Sequence, residues 1–242
     1  MKYIYINRDK DADRRSTFLE NNSHISDLRR FCAIEGTSLD IDELRAAGMI
    51  EGNPEYNMAS YGNALSHMLL WSAVQEHGEA TCIFEDDAIT CKNFVEMSEK
   101  TIASLPENWD IILWGNNHDT TLVIDMLSGV TPCIISYYEF FTQKNTDKFR
   151  EMNVECLSFR LMQTFGICGY SVSPKGASAL LQACNPIKEC EYFHMGINRN
   201  VPNGGIDHIM SYNYKNMNSY ASFPPLCLTK NDKEISTITN RA

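Results

Sequence analysis

The chain has 242 residues, 43% hydrophobic, 10% aromatic and 21% charged. That is the makeup of one large domain, or a domain with a lobe, that buries a sizeable core, and it excludes disorder, collagen and coiled coil. Its 21 basic and 31 acidic residues sum to −10, which argues against nucleic acid as a partner, and an anionic ligand needs a local cation, a helix N-terminus or a metal ion.

In chain order, KYIYIN (2–7) reads as a buried first strand and DADRRSTFLENN (11–22) as a helix capped by Asp11 or Asp13. RRFCAIEG (29–36) is a second strand, and SLDIDELRAAGM (38–49) a helix with Ser38 as its cap. EGNPEYNMASYGN (51–63) is loop-like, and NALSHMLLWSAVQEHG (63–78) is a largely buried helix. TCIF (81–84) is a strand running into three acids, CKNFVEMSEKTIASL (91–105) an amphipathic helix and WDIILWG (109–115) a fully apolar strand. Residues 116–159 show no helical period and read as an excursion carrying an active-site lobe. FGICGYSVS (165–173) resumes as a strand, PKGASALLQAC (174–184) is a helix with Pro174 at its first position, and a further helix starts at Asp207. Strand and helix alternating in this way predict an α/β fold.

Nine cysteines without a CxxC pair, several in apolar runs, predict core residues in a reducing compartment and a cytoplasmic address. The N-terminus has no signal-peptide pattern and no run reaches 18 apolar residues, which predicts a soluble protein with at most peripheral membrane contact.

Glu85-Asp86-Asp87 is the strongest chemical signal. Ligands of open α/β sheets collect at the carboxyl ends of strands, and residues two apart on an extended chain point the same way. Glu85 and Asp87 can therefore aim at one point while Asp86 points elsewhere. The pattern admits two readings: a pair of hard oxygen ligands for Mg2+ or Mn2+ that leaves positions for a diphosphate, or an acidic turn capping the helix near Cys91. Neither a Walker loop nor GxGxxG is present, so phosphate would be held by metal and backbone.

INRDKDADRR, RFCAIEG, GNALSHMLLW, IFEDDA, WDIILWG, GYSVSPKGASALL and GIDHIM occur in the order found in glycosyltransferase family 25, which the chain resembles. That family contains lipooligosaccharide galactosyltransferases and collagen galactosyltransferases. Two places depart from its pattern: Ala59-Ser60-Tyr61 replaces a Gly-Glu pair, and KEISTIT is only loosely similar to its ending. The resemblance implies a GT-A-like nucleotide-diphospho-sugar transferase fold, with a Rossmann-like mixed central sheet flanked by helices. It implies one domain over 1–242, with 1–115 holding donor and metal and 116–242 on the acceptor side.

The activity implied is metal-dependent, inverting transfer of a hexose, galactose first, from a UDP-sugar to a glycan or hydroxylated acceptor. A phosphohydrolase of nucleotide sugars and a catalytically degenerate UDP-sugar-binding module are the alternatives. Mn2+ or Mg2+ would sit on Glu85 and Asp87, with Asp86 free to hold the ribose. Glu35 is placed to accept the uracil imide proton and Asn7 to pair with the base. Arg14 is either a partner of the nucleotide or part of a solvated helix face paired with Asp11. Ser66 and His67 either line the donor cleft or belong to the core. Asp207 is either the general base that inversion needs or an ordinary N-cap, with Glu189 and Glu191 in reserve. His194 and His208 have no metal-site spacing, and packing is the reading for Tyr170 and Ser173.

Overall fold

The computed structural model of the protein describes residues 1–231; the KEISTIT segment lies outside the described residues. The first half alternates as β1 (Lys2–Asn7), α1 (Ala12–Asn21), β2 (Leu28–Cys32), α2 (Ile41–Ala46), β3 (Ile50–Glu51), α3 (Met58–His77), β4 (Thr81–Glu85), β5 (Ala88–Thr90), α4 (Phe94–Ser104) and β6 (Ile111–Gly115). A hairpin of β7 (Thr121–Leu127) and β8 (Thr131–Ser136) follows, then α5 (Glu139–Lys144), α6 (Thr146–Arg150) and β9 (Leu157–Gln163). The remaining elements are β10 (Gly169–Val172), α7 (Pro174–Cys184), β11 (Ile187–Lys188), β12 (Glu191–His194), β13 (Arg199–Pro202), α8 (Ile206–Asn213), β14 (Ser219–Phe223) and β15 (Cys227–Thr229).

Nine strands form one mixed sheet in the order β2-β1-β4-β10-β6-β14-β9-β7-β8. Strands β2, β1 and β4 run parallel, as do β6 and β14, and β10 runs antiparallel between β4 and β6. The carboxyl ends of β1, β4 and β6 and the start of β10 therefore meet at one sheet edge. The fold is mixed α/β with a large central sheet flanked by helices, as expected.

Alternation along the strands divides the core in two. Tyr3, Tyr5, Cys82, Phe84, Ile112 and Trp114 pack with Phe18 of α1 and Phe94 of α4 on one face. Ile6, Ile83, Ile111, Leu113 and Tyr170 pack with Trp71 of α3 and Leu180 of α7 on the other. Continuing the count by one residue sends Asn7 toward α1 and Glu85 toward α3. Helix α3 can lie close because Gly36 and Gly62 have no side chains: a Cβ on Gly36 would stand 1.8 Å from the Met58 carbonyl oxygen.

Some expected boundaries shift. Asp40, not Ser38, caps α2, accepting from the amides of Asp42 and Glu43. The 51–63 segment is helical from Met58 because the Asn57 side chain accepts from the Ser60 amide. The 116–159 stretch holds two helices of 6 and 5 residues, too short to print a period. Residues 165–168 leave the sheet before β10, with Gly166 at φ 83°.

All nine cysteines are free, and Cys82, Cys91, Cys168, Cys184 and Cys227 are buried, which fits their reading as small hydrophobes. Among the described residues no helix is long and apolar enough to cross a membrane.

Candidate active site

Two cavities open along the shared sheet edge. The larger, of about 440 Å³, is bounded by Glu85 and Asp87 on one side and by Phe165, Arg199, Asp207 and His208 on the other. The smaller, of about 70 Å³, lies between β1, β2 and α3 and is lined by Asn7, Arg8, Arg14, Gly36 and Asp86. Glu85 and Asn63 line both, so the acidic turn stands where the two cavities meet.

The three acids have separate surroundings, as alternation requires. Asp86 turns into the smaller cavity, where one oxygen accepts from Arg14 Nε at 2.9 Å and from the Arg14 terminal nitrogen, and the other from Asn7 Nδ2 at 2.7 Å. Burial lowers the Arg14 pKa, but the hydrogen bond and charge of Asp86, reinforced by Asp87 and Glu85, outweigh it and hold it above its ordinary value. Glu85 Oε1 accepts from Asn63 Nδ2 at 3.0 Å and lies 3.1 Å from His67 Nε2. Burial raises the Glu85 carboxyl, yet the hydrogen bonds from His67 and then Asn63 hold it below its ordinary value. Asp87 Oδ2 accepts from Thr229 Oγ1 at 3.0 Å. With only that bond, burial and the neighbouring charge of Glu85 push Asp87 up to about 6.

These surroundings fit a cation. Among the described residues, Glu85 and Asp87 each keep one carboxylate oxygen without a hydrogen bond, and Asp87 makes no direct ion pair. Among the described residues no group of three or more His, Cys, Asp or Glu could hold a metal on its own. Two carboxylates completed by substrate phosphates and water are an arrangement suited to Mg2+ or Mn2+.

The other expected site residues divide. Asn7, Arg14 and Asp86 come together at the smaller cavity. Arg14 pairs with Asp86 and not with Asp11, whose carboxylate takes Arg8 at 2.6 Å. Glu35 lines neither cavity; it pairs with Lys10 at 2.7 Å and lies 3.7 Å from Arg8, and these cations lower its pKa. Ser66 also departs from the cleft-lining expectation; it is fully buried, donating to the Gly62 carbonyl and accepting from the Ile34 amide, and so ties α3 to the segment after β2. His67 is likewise buried and reaches the cleft only through Glu85.

Asp207 faces the larger cavity from the first turn of α8. The N-cap is Gly205, and Asp207 Oδ2 accepts instead from the Gly166 amide at 2.9 Å, so the capping reading does not describe it. Glu189 lies elsewhere, accepting from the Asn53 amide, and lines a separate depression with Glu191. Tyr170 is fully buried and Ser173 caps α7, so neither lines a cavity.

Several residues escaped the sequence reading. Asn63 stands one turn before His67 in GNALSH, and helical spacing alone would have paired the two. Thr229 and Arg199 come from distant short strands and have no local signal. Arg199 is the arginine lining the larger cavity, and it makes no ion pair among the described residues.

No curated protein matches the chain. Among solved structures it is similar to mannose-1-phosphate geranyltransferase from Thermus thermophilus, at 9% identity and a TM-score of 0.33, over 74% of this chain and 44% of that one. It thus spans less than half the length of that structure. The family model described as glycosyltransferase family 25 (LPS biosynthesis protein) matches residues 1–195. The chain belongs to that family.

Proposed function

We propose that the protein transfers galactose from UDP-galactose, with inversion at the anomeric carbon, to a hydroxyl of a glycan or other hydroxylated acceptor, using Mn2+ or Mg2+ held by Glu85 and Asp87. The observation that carries this reading is the position of Glu85, shared between a smaller cavity edged by two arginines and a larger one bounded by Asp87 and Asp207. The choice of galactose rests on the resemblance to galactosyltransferases of the family.

In this reading the nucleotide lies along the smaller cavity, where Asn7 and Arg14 brace Asp86 against the ribose. The larger cavity has room for the hexose and the acceptor sugar. A divalent cation bound there supplies Lewis-acid neutralisation of the charge that develops on the leaving diphosphate. Glu85 and Asp87 would hold that ion with the oxygens they keep free. Asp207, steadied through Oδ2 by the Gly166 amide, presents Oδ1 to take the proton of the attacking hydroxyl. Membership in a family of glycosyltransferases favours transfer over the phosphohydrolase and the non-catalytic module.

A donor screen that follows UDP release with Mn2+ tests the reading. UDP-galactose is expected to give the fastest release, and Asp87→Asn is expected to abolish it while the fold is retained. Normal turnover in Asp87→Asn, or no release from any UDP-sugar, would contradict the proposal.

A further inference from the structure

The side chains of Asn63, His67 and Trp71 follow one another at intervals of four along α3 and so share one face of the helix. Tyr170 enters the same space from β10, where it lies opposite Ile83 of β4, two residues before Glu85. His67, Trp71 and Tyr170 are all 0% exposed. Trp71 Nε1 stands 2.8 Å from the Tyr170 hydroxyl, which is 2.8 Å from His67 Nδ1, and His67 Nε2 is 3.1 Å from Glu85 Oε1.

The chemistry of the donors sets the direction of this chain. An indole N–H can only donate, so it occupies the Tyr170 hydroxyl as an acceptor. The hydroxyl has one proton, and burial keeps it there by raising the Tyr170 pKa well above its ordinary value. With no other partner among the described residues, that proton goes to His67 Nδ1. The ring must then carry its own proton on Nε2, where it donates to Glu85. Asn63 adds a second donor to the same oxygen. Oε1 is thereby saturated by the protein, and Oε2 is left toward the cavities.

We propose that Trp71, Tyr170, His67 and Asn63 form a directed hydrogen-bond relay that fixes the rotamer of Glu85 and so sets the affinity of the site for its divalent cation. The inference rests on the reading that Glu85 and Asp87 hold that cation. These act as positioning residues: His67, Trp71 and Tyr170 line neither cavity, and Asn63 acts through its bond to Glu85. A packing cluster would account for the burial but not for a one-way chain of donors ending on a carboxylate at a cavity.

Two measurements test it. In the long-range 15N spectrum of the metal-free protein, the His67 ring, assigned by its loss in His67→Gln, is expected as the Nε2–H tautomer; an Nδ1–H ring would overturn the relay. In Mn2+ titrations followed by electron paramagnetic resonance with UDP present, Tyr170→Phe is expected to raise the Mn2+ dissociation constant about tenfold or more. Val74→Ala, a buried change farther along α3, is expected to lower Tm while leaving Mn2+ affinity at the wild-type value. His67→Gln, which keeps a side-chain N–H, is expected to bind Mn2+ more tightly than His67→Ala. Wild-type affinity in Tyr170→Phe, or equal affinities in the two His67 variants, would overturn the inference. Wild-type protein that binds no Mn2+ would instead defeat the cation reading itself and the relay with it.

Discussion

Glu85, Asp86 and Asp87 are chemically alike, and what separates their roles is the direction each side chain takes from the end of β4. Asp86 has both oxygens committed to Arg14 and Asn7, so it organises the smaller cavity. Glu85 and Asp87 each hold one oxygen back. The same logic applies to Asp207, whose Oδ2 is fixed by the Gly166 amide while Oδ1 takes no hydrogen bond among the described residues. With Asp207 as the base, Asp207→Asn is expected to bind UDP and Mn2+ as the wild type does and to lose about 10²- to 10⁴-fold in transfer rate. Transfer at the normal rate would remove Asp207 from that role. Asp207 lies beyond the residues matched to the family, so this experiment carries its assignment alone.

At the scale of elements, what the sequence made legible follows from local pattern. The buried strands β1, β4 and β6 and the capped helix α7 are written in runs of apolar residues and cap chemistry, and they place the acidic turn at the sheet edge. Alternation also separated Asp86 from its two neighbours. The ion pairs of Glu35 were not legible, because Lys10 and Arg8 reach it from the segment after β1. Nor was the partner of His67, since Tyr170 arrives from a strand more than 100 residues later.

The hairpin of β12 and β13 shows the same dependence on tertiary context. His194 is 0% exposed, stacks on Phe165 at 4.4 Å, and has both ring nitrogens buried without hydrogen-bond partners among the described residues. Burial, then the nearby His208, pushes its pKa down to about 4. The unfolded ring takes a proton near its ordinary 6.5, so the neutral ring's stability is present above that pH and is lost as pH falls toward 4. The loss amounts to about 2 kcal/mol at pH 5. His194→Phe keeps the stack and removes the titration, so it is expected to raise Tm more at pH 5 than at pH 7. An equal change at both values would show that His194 is not held neutral by burial.

At the scale of the molecule, the charge of −10 meets an anionic donor. Arg8 and Arg14 at the smaller cavity are already paired with Asp11 and Asp86, and four acids, Glu85, Asp87, Asp119 and Asp207, line the larger one. The central proposal is that a cation at Glu85 and Asp87 offsets the repulsion between this surface and a diphosphate. Calorimetric titration of UDP into the protein, once with Mn2+ and once with chelator, tests it most directly. Tight binding with Mn2+ and loss of most of the affinity in chelator is the expected result; the same affinity in both would contradict it.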